Sequence, residues 1–425
     1  MSTHLNILLS VYDDPFLYSM QEIHQLYHDF KKEAKKVSVK HAHEVHRKQR
    51  SLDSLVLYAW ILGEKSHENK GEAQKLFLKA IEQSENNSFL YFCLGRIAPS
   101  AQQKLQAYTQ SIILCPERSL AYNNRGNVYK TEYNQMDKAL NDYSKAIDLD
   151  SSYGFALLNR GHLYKNVLKE PHMALEDYTR TISVSTGKDA AAAFFSRANL
   201  YKNELNDKVK ALEDYNQAIL LDPNDSDIFN NRGNLHRNHF EDYEAALKDY
   251  TKAIAVNPNN GNAYFNRASI YSNHFKRYEK AKDDYLESMR CNPDDGDVYF
   301  NLGWLYEEIF HNPEKALEYY SLAIEKRQDD DASDYYHNRA ILYHNSLDEP
   351  EKALEDYNKA IEISPSDPVL YNNRGVCYED KLNEFVKALA DYEHALALRP
   401  NYAQAQTNIK LVMTKINALT HIGNT

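Results

Sequence analysis

Cysteine is scarce: four residues in 425, at positions 93, 115, 291 and 377, with no Cys-x-x-C and no close pair. A disulfide framework or a zinc ribbon needs thiols at short, repeated spacing. The cysteines are therefore expected as small buried packers in a reducing compartment. Long apolar runs are missing too. The opening stretch Leu5-Asn6-Ile7-Leu8-Leu9 is too short to span a membrane. No basic residues precede it and Asp13 and Asp14 follow, so it does not read as a secretion leader, and a cytoplasmic chain without a transmembrane segment is expected. There is no Gly-rich phosphate loop and no nucleophile–histidine–acid arrangement with local context. No non-repeat domain is large enough to house one, which argues against an enzyme and against a bound cofactor.

What the chain does have is tyrosine, 33 of them, and repetition. Tyr122-Asn123-Asn124-Arg125-Gly126-Asn127-Val128-Tyr129 and Lys138-Ala139-Leu140-Asn141-Asp142-Tyr143-Ser144-Lys145-Ala146-Ile147 return seven more times. The small residue after the arginine position falls at Gly126, Gly161, Ala198, Gly233, Ala268, Gly303, Ala340 and Gly375, in steps of 35 or 37. A fixed period of that length is the mark of stacked helical repeats. Tyr122, Gly126 and Tyr129 lie on one helical face; Ala139, Tyr143, Ala146 and Ile147 lie on another. Pro171, Pro313 and Pro350 suit the first turn of a second helix, and Pro223, Pro258, Pro293, Pro365 and Pro400 close it. Alanine recurs in all eight second helices, from Ala139 to Ala388, four residues before a tyrosine, from Tyr143 to Tyr392. Small against large lets two backbones approach while the ring fills the space beside them.

Gly126…Tyr129, Ala139…Tyr143…Ala146 and the closing Pro223 resemble the tetratricopeptide repeat family. The resemblance implies an all-α, right-handed α-solenoid of stacked antiparallel helix pairs. Four segments are expected: an N-terminal helical segment with a basic run (1–52), two degenerate repeats (53–120), eight clear repeats (121–400), and a capping helix and tail (401–425). The two 37-residue steps place their extra residues in the turns at Ser185–Asp189 and Gln328–Ser333.

One contact follows from the repeats themselves. Arginine precedes the small residue in seven repeats and aspartate precedes the second-helix tyrosine in seven. The repeat that has Leu302 in place of the arginine has Tyr319 in place of the aspartate. Joint loss points to a bidentate Arg–carboxylate latch, structural rather than catalytic.

Net charge is −11, yet residues 31–50 hold eight Lys/Arg against two Glu, or +6, which leaves −17 on the remainder. The basic run is expected to continue as helix and to cap the first end of the array. His24 and His28 lack the glutamate a zinc protease needs at Gln25, and His41, His43 and His46 sit beside cations, so no metal site is expected. The acidic repeats disfavour nucleic acid, whose phosphates need cations.

A second, variable stripe runs along each first helix, and the resemblance implies that it lines an inner groove that meets ligands. The position after the first-helix aromatic reads Lys130, Lys165, Lys202, Arg237, Ser272, Glu307, His344, Glu379: basic first, then mostly acidic. Asn166, Asn203, Asn238 and Glu308 follow it, Asn127 precedes it, and Phe300 and Trp304 share the stripe in the sixth clear repeat. Asparagine can both donate to and accept from a peptide backbone. The expected function is a non-enzymatic scaffold that holds a protein or peptide segment. The alternative is an assembly subunit that self-associates or docks through its basic N-terminal helix.

Overall fold

The computed structural model describes residues 29, 31–49, 52–65, 69–84, 86–327 and 332–422. The chain divides into two compact units, residues 1–224 and 225–425. All regular structure among the described residues is helical.

In the N-terminal unit, Val39–Gln49 precedes two antiparallel pairs, Leu52–Lys65 with Lys70–Gln83 and Ser88–Ile97 with Ala101–Leu114. Three repeats follow: Ser119–Thr131 with Met136–Leu149, Gly154–Leu163 with Pro171–Val184, and Gly187–Asn203 with Lys208–Leu221. The C-terminal unit holds five pairs, from Ser226–Leu235 with Tyr243–Val256 to Pro368–Asp380 with Phe385–Leu398, then Ala403–Ile422. The all-α architecture of paired helices is the one the sequence predicts.

The pairing follows the small–large rule. All eight repeat alanines are fully buried, and the eight tyrosines that follow them are at most 1% exposed. A Cβ placed on Gly126 would lie 2.8 Å from the Tyr143 ring, and one on Gly233 would lie 2.7 Å from the Tyr250 ring. The first helix is thus hollowed at one residue so that the ring of the second can lie against its backbone.

Each turn between the two helices contains one non-glycine residue in the left-handed region: Asn134, Lys169, Asn206, Glu241, Lys276, His311, Asp348 and Asn383. The next residue's N–H bonds to the carbonyl six positions back, as in Gln135 to Tyr129 (2.8 Å) and Asp242 to His236 (3.1 Å). This backbone bond closes the turn around the left-handed residue. The same next residue then caps the second helix where its side chain allows, Asp242 accepting from Ala245 (2.9 Å) and Asn312 from Lys315 (2.9 Å). Left-handed backbone without glycine costs about 1 kcal/mol or more per residue, and these hydrogen bonds offset it.

Two expectations need correction. The basic run is not one helix. It turns at residues 35–38, and Ser38 Oγ accepts from His41 N (3.1 Å) to start Val39–Gln49. The extra residues of the first 37-residue step are not a loop: they lengthen the helix Gly187–Asn203, whose Ala190–Ala193 run favours helix. Residues 328–331 of the second step lie outside the described residues, as do the helix expected from Pro15 and the pair His24 and His28. His46 meets Ser54 Oγ (3.1 Å) and the Tyr58 ring (6.2 Å).

Candidate functional site

The arginines and aspartates that recur in the repeats serve the fold. Seven arginines, from Arg125 with Asp142 to Arg374 with Asp391, grip their aspartates through Nε and Nη2 at 2.6–2.9 Å. The expected latch is bidentate in all seven. The remaining Nη1 also reaches back to the preceding second helix. Arg125 donates to Thr109 (3.4 Å), Arg160 to Ser144 (3.2 Å), Arg197 to Thr179 (3.0 Å), Arg267 to Thr251 (3.1 Å), Arg339 to Ser321 (3.1 Å) and Arg374 to Asn358 (2.6 Å). One guanidinium therefore ties three helices. In the repeat without the latch, Leu286, Leu302 and Tyr319 join one apolar cluster instead.

The tyrosine hydroxyls explain the acidic half of the stripe. Tyr143, Tyr215 and Tyr250 donate to Asn127 (2.7 Å), Asn199 (2.6 Å) and Asn234 (2.7 Å), each one residue past the small position. Where that neighbour is apolar, as with Trp304 and Val376, the acceptor moves one turn on. Tyr320 donates to Glu307 (2.7 Å) and Tyr392 to Glu379 (2.6 Å). Lys415 also pairs with Glu379 (2.8 Å). Burial holds the Glu307 carboxyl above its usual range, and the Tyr320 bond offsets only part of that rise. Glu307 and Glu379 are thus acceptors for buried hydroxyls.

The basic half has no such employment. Lys130, Lys165 and Lys202 occupy the same position in three successive repeats, and all three are half-buried. None forms an ion pair with a carboxylate among the described residues. Burial lowers the pKa of each; Lys165 and Lys208 lower Lys202 further, and Lys169 lowers Lys165, on which Glu204 acts in the opposite sense. His162, its Nε2 2.9 Å from Ser196 Oγ, is pushed down to about 4 by burial and then by Lys130 and Lys165. It is therefore neutral at pH 7. Lys165 and Asn166 lie in a π-helical turn, Tyr164–Leu168, that ends their first helix. Such turns interrupt a regular helix and often mark functional positions.

The first helices that carry this row are bridged by side chains. Asn159 Nδ2 donates to Asn123 Oδ1 (3.0 Å), and Asn123 Nδ2 to Asn124 Oδ1 (3.2 Å). Beside them lies a cleft of about 330 Å³ lined by Lys31, Arg96, Asn124, Asn127, Asn159 and Phe155, among others. Asn127, one turn before Lys130, joins the cleft to the row. Arg96 also pairs with Glu64 (2.5 Å) and lies over the Trp60 ring at 5.0 Å.

Family models described as tetratricopeptide repeat match residues 120–153, 191–225, 226–260 and 369–402, and 249–283 and 284–318; one described as TPR repeat matches 347–381. The matches together cover more than half of the chain. The chain belongs to the tetratricopeptide repeat family. No curated protein matches it. Among solved structures, human IFIT1, determined as a dimer with PPP-AAAA, is 15% identical, with a TM-score of 0.48, over 93% of this chain and 94% of that one. YrrB, described as a TPR protein with an unusual peptide-binding site, is 22% identical, with a TM-score of 0.36, over 46% of this chain and 96% of that one. MamA is 19% identical, with a TM-score of 0.35, over 40% of this chain and 96% of that one.

The remaining stripe residues of these tetratricopeptide repeats divide sharply. Asn166, Asn203, Asn238 and Glu308 are exposed. Arg237 is bound to asparagines, donating to Asn238 (2.8 Å) and Asn266 (3.3 Å). Phe300 is half-buried, stacked on Tyr335 at 5.0 Å and tilted on Tyr320 at 5.7 Å. Trp304 is half-buried against the cluster of Ala268, Tyr285 and Leu302. Asp297, near it, accepts from Arg327 (2.8 Å) and from the Tyr335 hydroxyl. Asn159 and Asn266 bridge successive first helices to Asn123 and Asn230 (3.0 Å each). Sequence reading missed Lys31 and Arg96 as neighbours of the stripe, since no periodic signal links residue 31 or residue 96 to residue 127.

Proposed function

We propose that the chain is a non-enzymatic scaffold that binds an extended segment of a partner protein along the variable stripe of its first helices. The observation that carries this reading is the set of half-buried lysines at 130, 165 and 202 with no ion-pair partner among the described residues. Desolvating a cation without a partner costs stability, so a fold gains nothing from three of them in register. The latch arginines, by contrast, are all paired. Exposed Asn166 and Asn203, each next to one of these lysines, supply amides for a backbone that has free N–H and C=O groups. Among the described residues no helix is long and apolar enough to cross a membrane.

The test is selection from a random displayed peptide library on the immobilised full chain, followed by hydrogen exchange with a selected peptide. Binding in the micromolar range or tighter is expected, as for segments without a preformed fold. Protection should fall on residues 119–131, 154–168 and 187–203. Failure to select any peptide, or protection confined to the second helices, would remove the reading.

A further inference from the structure

We infer that the row Lys130, Lys165 and Lys202 takes an extended acidic segment of a partner protein in which a carboxylate recurs at every third residue. This rests on the peptide-binding reading above and adds the chemistry and spacing of the ligand.

The sign comes from the local charge. Lys169 and Lys208 add their fields to the row, and Glu204 is the carboxylate that acts against it. This basic patch sits within a chain of net charge −11, so composition does not account for it. A partner carboxylate would supply the counter-charge that the fold withholds, in a setting where burial strengthens the attraction.

The spacing comes from the frame. Each lysine stands four residues past the small position of its repeat, at residues 126, 161 and 198. The first helices that carry them are in direct register through Asn159–Asn123 (3.0 Å) and His162–Ser196 (2.9 Å). Packed helices lie roughly 8–10 Å apart. A polyproline II chain rises about 3.1 Å per residue with three residues per turn, so every third side chain faces the same way, about 9 Å from the last. A β-strand returns a side chain to one face every second residue, about 7 Å on, and falls out of step by the third lysine. A helical ligand with acids at heptad spacing, about 10.5 Å, would match the distance. Its backbone, however, is already bonded to itself and would leave Asn166 and Asn203 nothing to pair with. The extended ligand uses both the lysines and the asparagines.

The experiment measures fluorescence anisotropy of labelled peptides with the full-length chain. The first probe is (Glu-Pro-Pro)4, which holds the polyproline II form and the three-residue period. The second has the same composition with its four glutamates contiguous. The third is a helical peptide with glutamates at heptad positions. The first is expected to bind at least about tenfold tighter than the others and to weaken as salt rises. Lys165→Glu should weaken it at least about tenfold. Lys202→Gln, which removes one charge with little change of shape, should weaken it by a smaller factor at an unchanged circular dichroism spectrum.

Equal affinity for the first two peptides, preference for the helical one, or indifference to both lysine variants would overturn the inference. A single-stranded RNA dodecamer that binds tighter than (Glu-Pro-Pro)4 would also overturn it, by assigning the row to phosphate. Library-selected peptides that bind equally well to wild type and Lys165→Glu would end this inference and leave the scaffold reading standing. The absence of any peptide ligand would end both.

Discussion

Replacing Tyr250 by alanine is expected to destabilise the C-terminal unit by about 3–5 kcal/mol, the range for removing a large buried ring. The ring is fully buried. It lies over Gly233, where a Cβ would come within 2.7 Å of it, so the first helix offers no side chain to fill the void. Its hydroxyl donates to Asn234 (2.7 Å), and that acceptor would be left facing the cavity. Tyr250→Phe separates the two contributions: it keeps the ring and loses one hydrogen bond, for about 1 kcal/mol. The chain has two tryptophans, Trp60 in the N-terminal unit and Trp304 in the C-terminal one. Urea unfolding followed by Trp304 fluorescence in a Trp60→Phe background therefore reads the unit that holds Tyr250. A loss below about 1 kcal/mol for Tyr250→Ala would mean that the small–large pairing does not hold the helix pair together.

Asp249→Ala is expected to cost about 2–4 kcal/mol, most of it for leaving the Arg232 guanidinium without its carboxylate. Asp249 is 4% exposed and Arg232 is 21% exposed, so water reaches one edge of the pair and the loss stays below that of a fully buried bridge. Removing both partners should cost less than the two single losses combined. The repeat with Leu302 and Tyr319 shows how an apolar pair fills the same place, with Tyr319 stacked on Tyr306 at 5.4 Å. A double-mutant cycle with Arg232→Met should give a coupling of about 1.5–3 kcal/mol. Coupling near zero would show that the recurrent geometry does not hold the repeat together.

That latch was legible because one repeat breaks it. A contact kept in seven repeats and lost jointly in the eighth reveals its two ends without coordinates. The third end was equally readable. The residue after the second-helix tyrosine is Thr109, Ser144, Thr179, Thr251, Ser321 or Asn358 wherever an arginine follows and bonds to it, and Leu286 where Leu302 follows. The contact joins one repeat to the next, so alignment within repeats alone does not reveal it.

The acidic half of the stripe shows why a sign pattern alone misleads. The run from Lys130 to Glu379 reads as one graded surface. Two patterns produce it: buried hydroxyls that need an acceptor at Glu307 and Glu379, and lysines at 130, 165 and 202 that form no ion pair among the described residues. Burial and the tyrosine bond separate the two, and neither is visible along a linear chain. The left-handed turn residues were hidden for a different reason. Their reliable sign is glycine, and the eight positions hold asparagine, aspartate, lysine, glutamate or histidine, held in place by a backbone bond from the next residue. Asn134, Asn206, Asp348 and Asn383, which tolerate that region best, were a partial signal.

In the proposed reading the lysine row serves a partner and not the fold, and thermal unfolding of Lys130→Gln/Lys165→Gln/Lys202→Gln tests that directly. Glutamine keeps most of the buried stem and removes the desolvated charge. The variant should melt at the wild-type temperature or above it, gaining up to about 1 kcal/mol, as expected where function is kept at a cost to stability. A loss of more than about 1 kcal/mol would make these lysines part of the frame and contradict the account.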